Sequence, residues 1–304
     1  MKFHVVGSNG YIARRLLQRL NPDYTVVSYS RHRCPNTIFL DLANPGDANL
    51  SQIRPDDFVV FLAAISSPDE CHNHYDYSYQ INVTGTAQFI EESLCRGARV
   101  LFFSSDVVVG ACRASRDESM PVHPIGEYAQ MKHLIEQRFL THASFKVFRL
   151  SYVLSREDKF MAFLQKCSRE NIVPDVYDAL FRNVVYLEDV IDAIIALEKT
   201  FSQWKTPIFH ICGLELLSRK DLAHIYQAIV DPFLRFTVSI PDSGFFDARP
   251  NIIATKSLYF SKLLQRDPTK VSDALKQEFL KVWYCQELCA KSVCRLRLNE
   301  VSQQ

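Results

Sequence analysis

The chain has 304 residues, of which 47% are hydrophobic and 23% charged, and a formal net charge of +1. That length can bury a sizeable core and predicts one large domain with a smaller one attached or interleaved. No stretch approaches the roughly 20 apolar residues of a membrane span, and the near-neutral charge gives no field that would recruit nucleic acid or an acidic lipid surface, so a small anionic ligand is the expected partner.

The first predicted strand runs from Lys2 to Val6. It leaves no room for the charged and apolar parts of a secretory leader, so the chain is expected in the cytoplasm. Directly after it, Gly7-Ser8-Asn9-Gly10-Tyr11-Ile12-Ala13 opens a helix predicted to end at Leu20. Small residues at such a turn let backbone approach a pyrophosphate, and the free N–H groups and dipole of the helix hold its charge. Read blandly, it is a strand-to-helix turn; its place at the first such junction favours a dinucleotide. The second strand, Tyr24 to Tyr29, is followed by Ser30-Arg31-His32-Arg33. Enzymes that use the unphosphorylated cofactor usually carry a carboxylate there for the ribose hydroxyls. A hydroxyl with the guanidiniums of Arg31 and Arg33 suits a 2′-phosphate instead, which predicts NADP(H) in preference to NAD(H). The alternative is a solvated basic turn.

Strands at Phe58 to Leu62, Val100 to Phe103 and Phe145 to Leu150 alternate with helical patterns over His74 to Arg96 and Gly126 to Thr141. Alternation of this kind predicts a doubly wound parallel α/β sheet of the Rossmann type. Tyr128 and Lys132 stand four apart on the second of those helices, on one face. A tyrosine needs a neighbouring cation to act as acid and base near neutrality, and Lys132 would supply it. Alone, the pair reads equally well as a surface tyrosine beside a solvated lysine. Ser104-Ser105-Asp106 at the carboxyl end of the preceding strand strengthens the functional reading, because ligands of open α/β sheets bind at that edge.

Past Arg149 the pattern loosens into helices over Asp158 to Arg169 and Ser218 to Ile229, with strands at Val184 to Tyr186 and Pro207 to Ile211 expected to return to the sheet. The expected division is a nucleotide-binding domain of residues 1–155, with 182–212 returning to it, and a discontinuous, helix-rich substrate domain of 156–181 and 213–304. Residues 284–304 show no strong period and read as a loosely attached tail. The nine cysteines are scattered, which suits reduced thiols. Only Cys285, Cys289 and Cys294 cluster, without the spacing of a zinc knuckle, so no metal is expected.

With the glycine loop, the strand-end hydroxyls and the Tyr-x-x-x-Lys pair in order, the chain resembles the extended short-chain dehydrogenase/reductase family, in its nucleotide-sugar epimerase/dehydratase branch, over nearly its whole length. It is most similar there to the dTDP-4-dehydrorhamnose reductases, through the short phosphate loop, Ser104-Ser105-Asp106 and Ala248-Arg249-Pro250. The resemblance implies that Ser105 steadies the substrate oxygen and Tyr128 moves the proton. Lys132 would bind the nicotinamide ribose and acidify the tyrosine. It further implies cofactor contacts at Ala63-Ala64 and, beside adenine, at Asp41-Leu42. Asn82-Val83-Thr84-Gly85-Thr86 matches a helix motif of the family whose asparagine is more often structural. Arg182 and Arg249 match arginines that grip a sugar-nucleotide phosphate in relatives; the plain alternative is that Arg182 pairs with Glu188 or Asp189. Asp106 is followed by Val107, not by the glutamate that dehydratases use, so elimination is not expected.

The implied activity is NADPH-dependent reduction of a 4-keto sugar nucleotide. A nucleotide-sugar epimerase and a non-catalytic dinucleotide-binding regulatory subunit remain as alternatives. The resemblance also implies a homodimer through the two long helices.

Overall fold

Strands β1 (Phe3–Val6) and β4 (Phe58–Phe61) are buried at every position, as parallel strands covered on both faces must be. Their side chains alternate between two cores. Phe58 and Val60 enter one, Val59 and Phe61 the other, and each fully buried phenylalanine contributes roughly 1.5–3 kcal/mol. The computed structural model describes residues 1–280, apart from 21, 22, 48 and 248. In it β1, β2 (Val26–Ser30), β3 (Thr37–Phe39), β4 and β5 (Arg99–Ser105) join Phe145–Leu150 and Ile208–Ile211 in one seven-stranded sheet. Its order is Ile208–Ile211, Phe145–Leu150, β5, β4, β1, β2, β3, and the pairings are all parallel.

From β1 the chain builds outward through β2 to β3, then returns to the other side of β1 as β4 and β5. The carboxyl ends of β1 and β4 therefore flank a topological switch point, where a crevice opens. This is the Rossmann-type α/β fold expected from the alternation. Helix α1 (Tyr11–Leu20) packs Ala13, Leu16 and Leu20 against one face of the sheet. On the other face lie Phe89 and Ile90 from Thr86–Cys95, and Met131 and Ile135 from Glu127–Phe139.

One expectation is refined and another is corrected. The run expected to be one helix from His74 to Arg96 is helical without interruption from Tyr75 to Cys95, but it widens into a π turn over Gln80–Gly85 and follows a separate short helix Pro68–Asn73. Apolar period alone does not register the cause: the Asn82 amide turns inward to bond the Ile65 backbone, and the Thr86 hydroxyl donates to the Ile81 carbonyl. Second, Ile208–Ile211 does return to the large sheet, but Val185–Tyr186 pairs with Val153–Leu154 in a separate ribbon. Phe145–Leu150 already has β5 on one side and Ile208–Ile211 on the other, so no edge remains there.

Facing the crevice is a four-stranded sheet in the order Leu216–Leu217, Phe181–Asn183, Ile252–Thr255, Cys112–Arg116. It gathers segments far apart in sequence. The expected tail of 284–304 and the cysteines Cys285, Cys289 and Cys294 lie outside the described residues. Among the described residues no helix is long and apolar enough to cross a membrane.

Candidate active site

At the switch point Gly7 adopts φ +87°, and a side chain there would bring its Cβ within 2.9 Å of the Ala63 backbone. Only glycine fits both the conformation and the space. The loop is held by Gly7 and Ser8 amides donating to the Tyr29 carbonyl and by the Gly10 amide donating to the Gly7 carbonyl. It runs into α1, whose first turn carries no acidic residue, so the helix N-terminus presents an uncompensated positive end to an anion. Gly10, Tyr11, Ile12 and Ala64 line a cleft of about 730 Å³ with Gly7. Ala63 packs beneath Gly7.

Asn9, Ser30, Arg31, Arg33, Asp41 and Leu42 do not line the cleft. The Asn9 amide donates to the buried Ser30 hydroxyl at 2.9 Å, which ties the glycine loop to the end of β2, and the same hydroxyl accepts from the His32 amide. Arg31 and Arg33 are exposed, with the Arg33 guanidinium 4.6 Å from the centre of the Phe39 ring. The Asp41 carboxylate accepts from the Ala43 amide. Leu42 is pressed so closely on the helix glycine that a Cβ on Gly85 would lie 1.8 Å from its carbonyl oxygen. Asn82 has a positioning role: its side chain accepts from the Ile65 amide and donates to the Ile65 carbonyl, fixing the loop that carries Ala63 and Ala64.

Ser104, Ser105, Tyr128 and Lys132 line the same cleft as the glycine loop. Ser105 ends β5, its hydroxyl 3.4 Å from both the Asp106 carboxylate and the Val107 amide. Ser104 is buried, opposite Arg149 on the neighbouring strand. Lys132 is 3% exposed; its ammonium donates to the Phe103 carbonyl at 2.8 Å and stands 5.9 Å from the centre of the Tyr128 ring. Burial brings its pKa down to about 7, and burial likewise pushes the Tyr128 phenol up. In the free protein, therefore, desolvation outweighs any acidification of Tyr128 by Lys132, and the phenol is kept protonated.

Asp106 joins the end of β5 to the facing wall, a role its sequence motif does not announce. Its carboxylate accepts from the Ser151 hydroxyl at 2.8 Å and lies 3.8 Å from the Arg182 guanidinium; burial pushes it up, against the pull of Arg182 and of the serine hydroxyls. Arg182 also donates to the carbonyls of Phe181, Pro250 and Asn251. The alternative partners are occupied elsewhere, Glu188 by Arg15 and Arg19, and Asp189 by Arg266 and Thr269. Arg249 lies against the Phe245 ring and pairs with Asp69 of the helix Pro68–Asn73, so it bridges the two sides of the cleft. Arg182 and Arg249 both line it.

Tyr152, Asp158, Phe160 and Arg219 also line the cleft and were not singled out from sequence. Asp158 caps the helix Lys159–Glu170 and accepts from the Tyr152 hydroxyl. The Ser-x-x-Asp box at Ser218 announces the start of the helix Arg219–Ile229, yet no local pattern tells which way its first side chain points.

The family model described as the RmlD substrate binding domain matches residues 1–233. No curated protein sequence matches the chain. Among solved structures, the chain is similar to a dTDP-4-dehydrorhamnose reductase of Bacillus anthracis in complex with NADP, at 21% identity and a TM-score of 0.78, covering 92% of this chain and 99% of that one. It is also similar to MoeE5 in complex with UDP-glucuronic acid and NAD, at 19% identity and TM-score 0.77, over 94% and 100% of the two chains. A UDP-glucuronic acid 4-epimerase of Bacillus cereus matches at 21% identity and TM-score 0.74, over 91% and 98%. At such identities the structures establish the shared fold.

Proposed function

The chain belongs to the RmlD substrate binding domain family, and from that premise we propose that it is an NADPH-dependent oxidoreductase that reduces a 4-keto nucleotide sugar. The observation that carries the reading is that Ser105, Tyr128 and Lys132 line one cleft with Gly7, Gly10 and Tyr11 of the glycine loop. NADPH, when bound, supplies the hydride. The residues of the loop fit a dinucleotide: a glycine that no side chain can replace, and a helix N-terminus without acidic residues. Ser30, Arg31 and Arg33 would take the 2′-phosphate, with NAD(H) the weaker choice. Asp41, Leu42, Ala63 and Ala64 would border the dinucleotide.

Burial suits Tyr128 to the reductive direction, because a phenol pushed up in pKa arrives protonated. It donates its proton to the alkoxide that develops as the carbonyl carbon is reduced, and the Ser105 hydroxyl donates a hydrogen bond to the same oxygen. Lys132 then lies near enough to offset the phenolate left behind. Asp106 is tied to Ser151 and Arg182 and is followed by Val107 in place of the glutamate that dehydratases use, so elimination is not part of the proposed reaction. Arg182 and Arg249 would face the diphosphate of the substrate. Residues 1–155 with 182–212 would form the dinucleotide-binding unit, and 156–181 with 213–304 the substrate-binding unit. The setting we propose is cytoplasmic polysaccharide biosynthesis, with a homodimer as the assembly.

The similarity to 4-epimerases favours a second reading, oxidation and re-reduction of one sugar with retained cofactor. A panel of 4-keto and hydroxy sugar nucleotides with NADPH, followed at the absorbance of the cofactor, separates the two. Net NADPH consumption with a keto sugar supports the reductase. Isomerisation without net consumption, by protein purified with bound dinucleotide, replaces it with the epimerase.

A further inference from the structure

The cleft holds one cation whose surroundings leave it incomplete. The Arg219 guanidinium lies 4.1 Å from the centre of the Tyr152 ring and 4.8 Å from that of Phe160. These rings hold its plane, and apart from the Tyr152 hydroxyl they offer no acceptor to its edge. Its Nη1 is buried with no hydrogen-bond partner among the described residues. Asp158, a nearby carboxylate, is used by the Ser155, Phe160 and Met161 amides and the Tyr152 hydroxyl. The other cations of the cleft are provided for: Lys132 by the Phe103 carbonyl, Arg182 by three carbonyls and Asp106, Arg249 by Asp69, and Lys159 by exposure to solvent.

A buried donor without a partner costs free energy that a ligand with matching acceptors recovers. Arg219 is moreover close enough to Arg182 for their repulsion to add to the burial that pushes the Arg182 guanidinium down, against the pull of Asp106. Two guanidiniums facing one cavity call for an anion between them, and a forked donor suits phosphate oxygens. The helix N-terminus is not the attraction, since the capping box of Ser218 and Asp221 closes it.

Resting on the function proposed above, we infer that Arg219, which lies within electrostatic reach of both Arg182 and Tyr11, is a further specificity-determining residue that binds the diphosphate of the sugar nucleotide. Its backbone supports the substrate side over the cofactor: the Arg219 amide donates to the Ala179 carbonyl, next to Leu180, which lines the cleft just ahead of Arg182. A diphosphate is also present in the dinucleotide, so the test separates the two sources.

Calorimetric titration of the full-length protein with UDP and with dTDP, in saturating NADP, reads the substrate side. Titration with NADPH alone reads the cofactor side. Arg219→Gln should weaken whichever nucleoside diphosphate the native protein binds by roughly 10- to 100-fold and leave NADPH affinity within about threefold, which also shows that the variant is folded. Arg219→Lys should recover part of the loss, because the charge returns without the fork. Unchanged nucleoside diphosphate affinity in Arg219→Gln, a loss confined to NADPH, or a native protein that binds neither probe would each overturn the inference. The measurement needs no turnover, so diphosphate binding that depends on Arg219 in a protein inert toward keto sugars would leave this inference standing and remove the proposed reaction.

Discussion

On the glycine-loop wall of the cleft the geometry is set by backbone, whereas on the facing wall it is set by long side chains that reach across the fold. Gly7, Ser8 and Gly10 are fixed by main-chain bonds within the loop and to the adjacent strand. Arg182 is held by carbonyls of residues 250 and 251 and by Asp106, and Arg249 by Asp69. The difference teaches where rigidity and specificity reside. A turn with little freedom suits a ligand group shared by many proteins, while long side chains are groups that a few substitutions can retune.

Between the two walls lies the edge that carries Ser105, Tyr128 and Lys132. Tyr128→Phe should lower turnover by roughly 10²- to 10⁴-fold, since the proton donor is lost, with NADPH binding close to native. Steady-state rates beside a fluorescence titration of NADPH read both quantities, and retained turnover removes Tyr128 from its role. Next in size is the backbone wall itself. Gly7→Ala places a Cβ at φ +87° and 2.9 Å from the Ala63 backbone, and should cost about 2–4 kcal/mol in urea unfolding together with most of the NADPH affinity. A native-like stability would mean that the loop is softer than described.

Lys132 tests the edge between the walls through pH. Its pKa near 7 in the fold lies below the 10.5 of an unperturbed lysine, so between those values the unfolded chain binds the additional proton. Stability of the cofactor-free protein should therefore rise from neutral pH toward about pH 10. Lys132→Met should flatten that slope and add about 1–3 kcal/mol at about pH 7, while abolishing turnover. Equal slopes in the two proteins would show that the lysine is not desolvated. The smallest effect belongs to the facing wall: Arg249→Gln removes an ion pair with an exposed Asp69 and should change stability by less than about 0.5 kcal/mol. A larger loss in urea unfolding would mean that the bridge holds the walls together.

The same contrast decides what sequence could reveal. The parallel sheet was legible because β1 and β4 are apolar at nearly every position and are followed by glycine and small residues, signals contained within a few positions. Ser105, Tyr128 and Lys132 were legible as candidates because a strand end and a four-residue helical spacing are local patterns. The π turn at Gln80–Gly85 was not, since it goes with Asn82 reaching Ile65 across the fold. Arg182 was found as a candidate for the cleft, yet its bonds to Pro250 and Asn251 lie 68 and 69 residues away in sequence. Arg219 was missed altogether, because only the docking of its helix beside Tyr152 and Phe160 turns it inward.

The central claim is that a reduced nicotinamide and a keto sugar nucleotide meet in this cleft, with hydride passing from one to the other. Incubation with NADPH deuterated at the transferred position, and then mass spectrometry of the sugar nucleotide, tests it most directly. The account predicts one deuterium on the carbon that becomes the alcohol, matched by one equivalent of NADP. A product without deuterium, or a sugar altered while NADPH is untouched, would contradict it.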